Sequence, residues 1–234
     1  SHDYRQVAMK LPGKIKPSTI LLALLIPALL LYYFAEHPFA TTLAKRTINL
    51  SGFSTAHRLN FNSAVKRLDM TVIKPHQVFS FNQRLGPRDT GGGYVPAASY
   101  LGRDRVASSG GGICLVSSTL YQVALLSGLT IVERTPHVSR IASVPAGLDS
   151  TVWYGVNDLK ILNPYDFPVE IVTTQSPEEV TVEIKGKALT KPVKRSFKRR
   201  EIARDNRTML VEVYLLEDTK SEGKLLSRDS YNIR

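Results

Sequence analysis

Gly110-Gly111-Gly112-Ile113-Cys114-Leu115-Val116-Ser117-Ser118-Thr119-Leu120-Tyr121 contains the one cysteine of the 234-residue chain. Three glycines let the backbone bend sharply and let another group come close. The apolar run after them continues to Leu126 and stops at Gly128. This spacing predicts a helix that opens at the cysteine. Val116, Leu120, Val123, Ala124 and Leu126 make it apolar on nearly every side, so it should be a central, buried helix. The first turn of a helix presents unpaired amides that favour negative charge, a setting that tends to ionise a thiol. The stretch therefore reads as a nucleophile on a turn. A lone cysteine is otherwise a small apolar core residue, and compartment weighs between the two.

Residues Ile20 to Ala35 carry no charge and are almost wholly apolar, with Arg5, Lys10, Lys14 and Lys16 before them and Glu36 after. More positive charge before than after predicts an N-in orientation with the remainder exported. The run is slightly short of the roughly 20 residues that span a bilayer, so a signal peptide and an uncleaved anchor both fit. Tyr32, Tyr33 and Phe34 resemble an interfacial aromatic belt, and no clear small-x-small cleavage site follows, which favours the anchor. Localisation at the cell membrane as a single-pass protein with its domain outside is the expectation. Exported proteins use cysteines in pairs, so a leftover one points to a reactive thiol. With no intrachain disulfide possible, the fold must hold by its core.

The formal net charge is +11, which implies an anionic partner. Much of the excess sits between Lys185 and Arg207. Outside the membrane, wall polymers or lipid headgroups are the anions to expect, and a solvated basic linker is the plainer reading. No nucleic-acid motif accompanies the patch, so nucleic acid is not expected as a partner. The body reads as α+β, with a central helix packed on a mainly antiparallel sheet. A helical stretch runs over Phe61 to Met70, and a short strand over Val78 to Phe81. A loop-heavy glycine-rich segment follows from Gly86 to Gly112, in which Gly91-Gly92-Gly93-Tyr94 is a turn or a mobile loop. Short β-branched runs cover residues 129–132, 151–153, 159–162, 169–172 and 180–184, at turn spacings that fit an antiparallel sheet. Residues 209–216 and 224–233 could pair as a terminal hairpin. The expected organisation is a tail (1–19), a membrane segment (20–35), a linker (36–53), a catalytic domain (54–186), and a basic linker with a C-terminal β element (187–234).

A nucleophilic cysteine needs a base near its sulfur and a group orienting that base. Of the histidines, His137 follows the strand that leads directly from the cysteine helix. Cysteine at a helix start and histidine after the next strand is an order similar to that of papain-like and wall-hydrolase cysteine enzymes. Asp149 and Asp158 are the orienting candidates, with Asp149 preferred; either could be an ordinary cap. The backbone amides of Cys114 and of Gly111 or Gly112 are natural oxyanion donors. Arg134 could hold a substrate carboxylate, unless it is a surface arginine, and Ser117 lies one turn along from the cysteine. Metal and phosphate-loop chemistries lack their residues: one cysteine without clustered histidines makes no metal site, and no lysine follows the glycines. No cofactor is expected.

These residues carry a resemblance to the VanW family. The matching pieces are Val78-Phe79-Ser80-Phe81-Asn82, Leu85-Gly86-Pro87-Arg88, Gly93-Tyr94 with Pro96-Ala97-Ala98, and Gly110 to Tyr121. They continue through Leu125-Leu126-Ser127-Gly128-Leu129, Ile131-Val132-Glu133-Arg134, His137, Val144 to Asp149 and Asp158-Leu159-Lys160. The resemblance covers about Ser54 to Gly186. Three positions depart from it: Leu115 stands where the family usually has Gln, Val138 where it has Ser, and Ser150 where it has Ala. The resemblance implies peptidoglycan chemistry outside the membrane. Cys114 would attack the carbonyl preceding the terminal D-alanine of a tetrapeptide stem, and a neighbouring stem's diamino-acid amine would resolve the thioester into a 3-3 cross-link. This makes the chain resemble an L,D-transpeptidase. A cysteine hydrolase of the same stems and a non-catalytic wall-binding accessory protein are the alternatives, and Leu115 favours the last.

Overall fold

The computed structural model describes residues 23–26, 38–101, 104–189, 191–218 and 220–233. Of the apolar segment 20–35, only residues 23–26 are described, as helix; the rest lies outside the described residues. Among the described residues no helix is long and apolar enough to cross a membrane.

The first strand, β1 (Thr41–Asn49), falls in the stretch read as a linker. It is largely exposed, with Ile48 its one fully buried side chain, so the alternation that announces a strand is missing. Helix α1 (Thr55–Leu68) begins earlier than the apolar pattern suggests. Ser54 caps it by accepting from the His57 amide, and Lys66 and Arg67 complement its C-terminal dipole. Asn60, Phe61, Ala64, Val65 and Leu68 form its buried face, the spacing of one helical stripe. After β2 (Thr71–Ile73) and β3 (Val78–Ser80) comes one short helical turn, α2 (Phe81–Leu85).

The glycine-rich segment is not mainly loop. It contains a hairpin, β4 (Pro96–Leu101) and β5 (Asp104–Ser109), and Tyr94 ahead of it is buried. The expected helix is α3 (Ile113–Leu126), buried almost all round and packed against β1, β9, β6 and α1. Beyond it lie β6 (Thr130–Glu133), β7 (Lys160–Leu162), β8 (Val169–Gln175) and β9 (Glu179–Gly186). Thr151 to Trp153 forms isolated bridges rather than a strand, because Thr151 pairs with Thr135 and Trp153 turns back onto Asn157.

The basic stretch is a strand, β10 (Arg195–Arg204), which pairs with β11 (Thr208–Glu217), and β11 with β12 (Lys224–Asn232). Its charged side chains are mostly exposed, so the period-two pattern does not show in the sequence. The strands form one sheet in the order β1-β9-β8-β2, two three-stranded sheets, β10-β11-β12 and β3-β7-β6, and the β4-β5 hairpin. Among the described residues every strand pairing is antiparallel, as expected for the α+β body. Alternating Val180, Val182 and Ile184 on β9 face the same core as Leu120 and Val123 of α3. Met209, Val211, Val213 and Tyr231 belong to that core too, so the terminal sheet is continuous with the rest of the hydrophobic interior.

Candidate active site

Gly112 sits in the left-handed region (φ 94°) as the residue that opens α3, and its carbonyl accepts the Leu115 amide. A side chain there would be strained and would meet the His57 ring. Gly111 is required for a different reason: a β-carbon on it would run into the carbonyl of Ala97 on the hairpin. Buried Asn60 fixes this arrangement. It donates to Gly111 O (3.0 Å) and Val95 O (2.9 Å) and accepts from the Val95 amide (2.8 Å). Chain geometry therefore sets the position of Cys114 at the mouth of the helix.

Cys114 lines a cavity of about 460 Å³ together with Arg88, Gly112, Leu115, His137 and Trp153. Its sulfur lies 3.7 Å from Val152 O. His137 comes from the loop after β6, where its Nδ1 is 2.6 Å from Asp149 Oδ2 and its own amide donates to the same oxygen (2.7 Å). The ring lines the same cavity as Cys114, whose side chain is among the groups that raise the His137 pKa. Since Nδ1 is held by Asp149, Nε2 is the nitrogen left for the sulfur. Burial works against a charged imidazole here. The bond to Asp149 and, after that, the nearby Cys114 outweigh it, and the His137 pKa is pushed up to about 9.

Asp149 is almost wholly enclosed and fully satisfied. Its Oδ1 accepts from Tyr231 (2.5 Å) and Arg134 Nη2 (3.0 Å), while Oδ2 takes both His137 donors. Burial would raise its pKa, but the His137 bond and the Arg134 charge dominate and hold it at about 2. Arg134 also pairs with Asp229 (2.6 Å), donates Nε to Asp149 O (2.7 Å) and lies over the Tyr121 ring at 5.3 Å. Two cations and two carboxylates thus balance one another beneath the pocket. Such a buried network holds only when each member is partnered.

The structure brings Cys114, His137 and Asp149 together, with Gly112 beside them on the cavity wall. Among the described residues the amides of Gly112 and Cys114 have no hydrogen-bond partner. Gly111 does not share that position, because its amide already donates to Ser108 O (3.0 Å). Arg134 is neither on the surface nor on the cavity wall; its guanidinium is enclosed by Asp149 and Asp229 and is not available to a substrate carboxylate. Ser117 is buried, and its hydroxyl donates to Ser150 O (2.7 Å) and back to Cys114 O (3.1 Å), tying the helix to the Asp149 segment. Asp158 accepts the Asn82 and Leu159 amides (2.8 Å each) and the Ser80 hydroxyl (2.5 Å), so it fixes the start of α2 rather than facing the cavity.

The sequence reading did not find Tyr231, Asp229 or Asn60. The first two lie on β12, far along the chain from the residues they hold, and their periodicity marks them only as strand residues. Asn60 carried one signal, a polar side chain on the apolar stripe of α1.

A family model described as "VanW like protein" matches residues 56–185. The chain belongs to the VanW family. Over 123 residues it is 38% identical to the "Uncharacterized protein YoaR" of Bacillus subtilis, covering 53% of this chain and 40% of that protein. Over 126 residues it is 32% identical to the "Vancomycin B-type resistance protein VanW" of Enterococcus faecalis, covering 52% of this chain and 46% of that one. These matches take in less than half the length of either curated relative. No solved structure matches the chain. The VanW match ends at residue 185, so Tyr231 and Asp229, which hold Asp149 and Arg134, lie beyond it.

Proposed function

We propose that this VanW protein is a cysteine acyltransferase of peptidoglycan stems, an L,D-transpeptidase that forms 3-3 cross-links outside the membrane. The observation that carries the reading is that Cys114 and His137 line one substrate-sized cavity, with His137 Nδ1 held at 2.6 Å by Asp149 behind it. Nucleophile, base and orienting carboxylate are the three roles acyl transfer requires.

The chemistry follows from those parts. At neutral pH His137 holds the proton, and Cys114 Sγ attacks the carbonyl carbon preceding the terminal D-alanine. The Cys114 and Gly112 amides face the oxygen on which charge develops. The C–N bond breaks as His137 passes its proton to the leaving amine, so D-alanine departs and a thioester remains. The amine of a neighbouring stem's diamino acid attacks that thioester, neutral His137 takes the amine's proton, and the C–S bond breaks. One amide is lost and one is formed. Residues 20–35 would hold the domain at the outer membrane face, and the exposed charges of β10 would favour anionic wall polymers or lipid headgroups.

Incubation with a disaccharide tetrapeptide and D-methionine tests the reading. Wild type should exchange D-alanine for D-methionine, and Cys114→Ala should not. Release of D-alanine without exchange would make the protein a hydrolase of the same stems, and neither event would make it a wall-binding protein.

A further inference from the structure

Arg88 is the cation on the cavity wall that the triad does not use. The neighbouring Asp89, also on that wall, accepts the Gly92 amide (2.7 Å) rather than pairing with Arg88. Arg88 stands in the loop after α2, where Nη2 donates to Asn82 Oδ1 (2.6 Å) and the guanidinium lies 5.7 Å from the centre of the Phe81 ring. Asn82 is itself pinned, with its Nδ2 on Asn157 O (2.8 Å) and Trp153 O (3.2 Å) and its amide on Asp158. The aliphatic part of Arg88 packs so closely on Gly110 that a β-carbon there would meet it at 2.8 Å. The side chain is therefore held in place.

What it lacks is a counter-ion. Among the described residues no carboxylate lies within ion-pair distance of Arg88, and its Nε and Nη1 are buried without a hydrogen-bond partner. Arg134, by contrast, has two carboxylates. Shielding a cation from water without pairing it is costly, and proteins retain such a group where an anion arrives to complete it. Burial pushes the Arg88 pKa down, and Tyr94, Cys114 and then Asp158 oppose that shift; the cysteine is within its electrostatic reach, and the Asp158 carboxylate acts from beyond ion-pair distance.

We propose that Arg88 forms a carboxylate-binding subsite beside Cys114 and takes a carboxylate of the donor stem peptide. This rests on the acyl-transfer reading for the identity of the ligand, and on the unpaired charge for its chemistry. Two carboxylates of such a donor qualify, the C-terminal one and that of the diamino-acid side chain.

The test uses alkylation of Cys114, which needs no turnover. Rates with iodoacetate and with neutral iodoacetamide are compared in the full chain, in Arg88→Gln and in Arg88→Lys. A subsite predicts that the iodoacetate-to-iodoacetamide ratio falls about tenfold in Arg88→Gln and is largely kept in Arg88→Lys. An unchanged ratio in an Arg88→Gln protein that melts like wild type overturns the proposal. If that variant fails to fold, protection of wild-type Cys114 from iodoacetamide decides. The tetrapeptide should protect better than the same peptide amidated at both the C-terminal and the side-chain carboxyl group, and equal protection overturns the proposal. Tetrapeptides amidated at the C-terminus or at the side chain then assign the source by which of them loses protection; loss by neither also overturns it. A charge-dependent ratio in a protein that performs no D-alanine exchange would keep the subsite and sink the transpeptidase instead.

Discussion

The Tyr231 hydroxyl donates to Asp149 Oδ1 across 2.5 Å, joining residues 82 positions apart in the chain. The same oxygen of Tyr231 accepts the Gly147 amide (2.7 Å), so one phenol fixes both the carboxylate and the loop that carries it. Burial first, and the neighbouring Asp149 charge next, push the Tyr231 pKa upward, which keeps its proton in place to donate. Tyr231→Phe leaves a buried carboxylate oxygen and a buried amide short of a partner. We expect a loss of about 1–3 kcal/mol in urea unfolding, the cost of buried groups left unsatisfied. Cys114 acylation should slow as well, since Asp149 no longer holds the imidazole in one orientation.

The His137 pKa gives a pH dependence with a definite sign. It is raised in the folded protein, to about 9, from about 6.5 in an unfolded chain. Its stabilising contribution is therefore complete below about pH 6.5 and is lost as pH rises through 9, on the order of 1–3 kcal/mol in all. Asp149 acts in the opposite direction. Its pKa is depressed to about 2, so its contribution is present above about pH 4 and disappears as pH falls through 2. An NMR titration of His137 should show a midpoint near 9 in wild type and a lower one in Asp149→Asn and in Cys114→Ser.

Ser150 is one of the three positions that the sequence reading set apart from the family pattern, and the structure gives its hydroxyl a cost. Its backbone is well used, with the amide accepted by Ser118 Oγ (2.8 Å) and the carbonyl taken by Ser117. Its hydroxyl, however, is buried with no partner among the described residues. Ser150→Ala should raise stability by about 1 kcal/mol in a thermal or urea melt and leave Cys114 reactivity unchanged.

Leu115 tests whether the backbone alone holds the oxyanion. It lines the Cys114 cavity and also a second one, of about 610 Å³, bounded by Thr119 and Gln122. If the Cys114 and Gly112 amides are the donors, Leu115→Gln should change the acylation rate by less than about tenfold, because loss of a true oxyanion donor costs 10²–10³. A larger gain would assign the missing donor to that side chain.

Much of the site was legible because its signals are local. Three glycines and an apolar run placed Cys114 at the start of a buried helix, chain order put His137 forward, and Asp149 was preferred over Asp158 as its orienting group. The residues that stabilise them were not legible, because tertiary contacts at long separation leave no periodicity behind. Arg134 is an instance: a cation in a sequence looks the same whether it meets solvent, a substrate or two buried aspartates. The basic strand β10 was hidden by charge, since an exposed edge strand has no core-facing alternation to read. The hairpin before Cys114 was hidden by its glycine-rich surroundings.

Intact-mass analysis of the protein mixed with a tetrapeptide stem tests the central claim most directly. The account predicts a covalent adduct with the mass of the tripeptide acyl group, mapped to the peptide that contains Cys114 and absent from Cys114→Ala. It also predicts that adding a diamino-acid amine discharges the adduct into a cross-linked product. The same adduct on Cys114→Ala, or none on a wild-type protein whose Cys114 is alkylated readily by iodoacetamide, would contradict it.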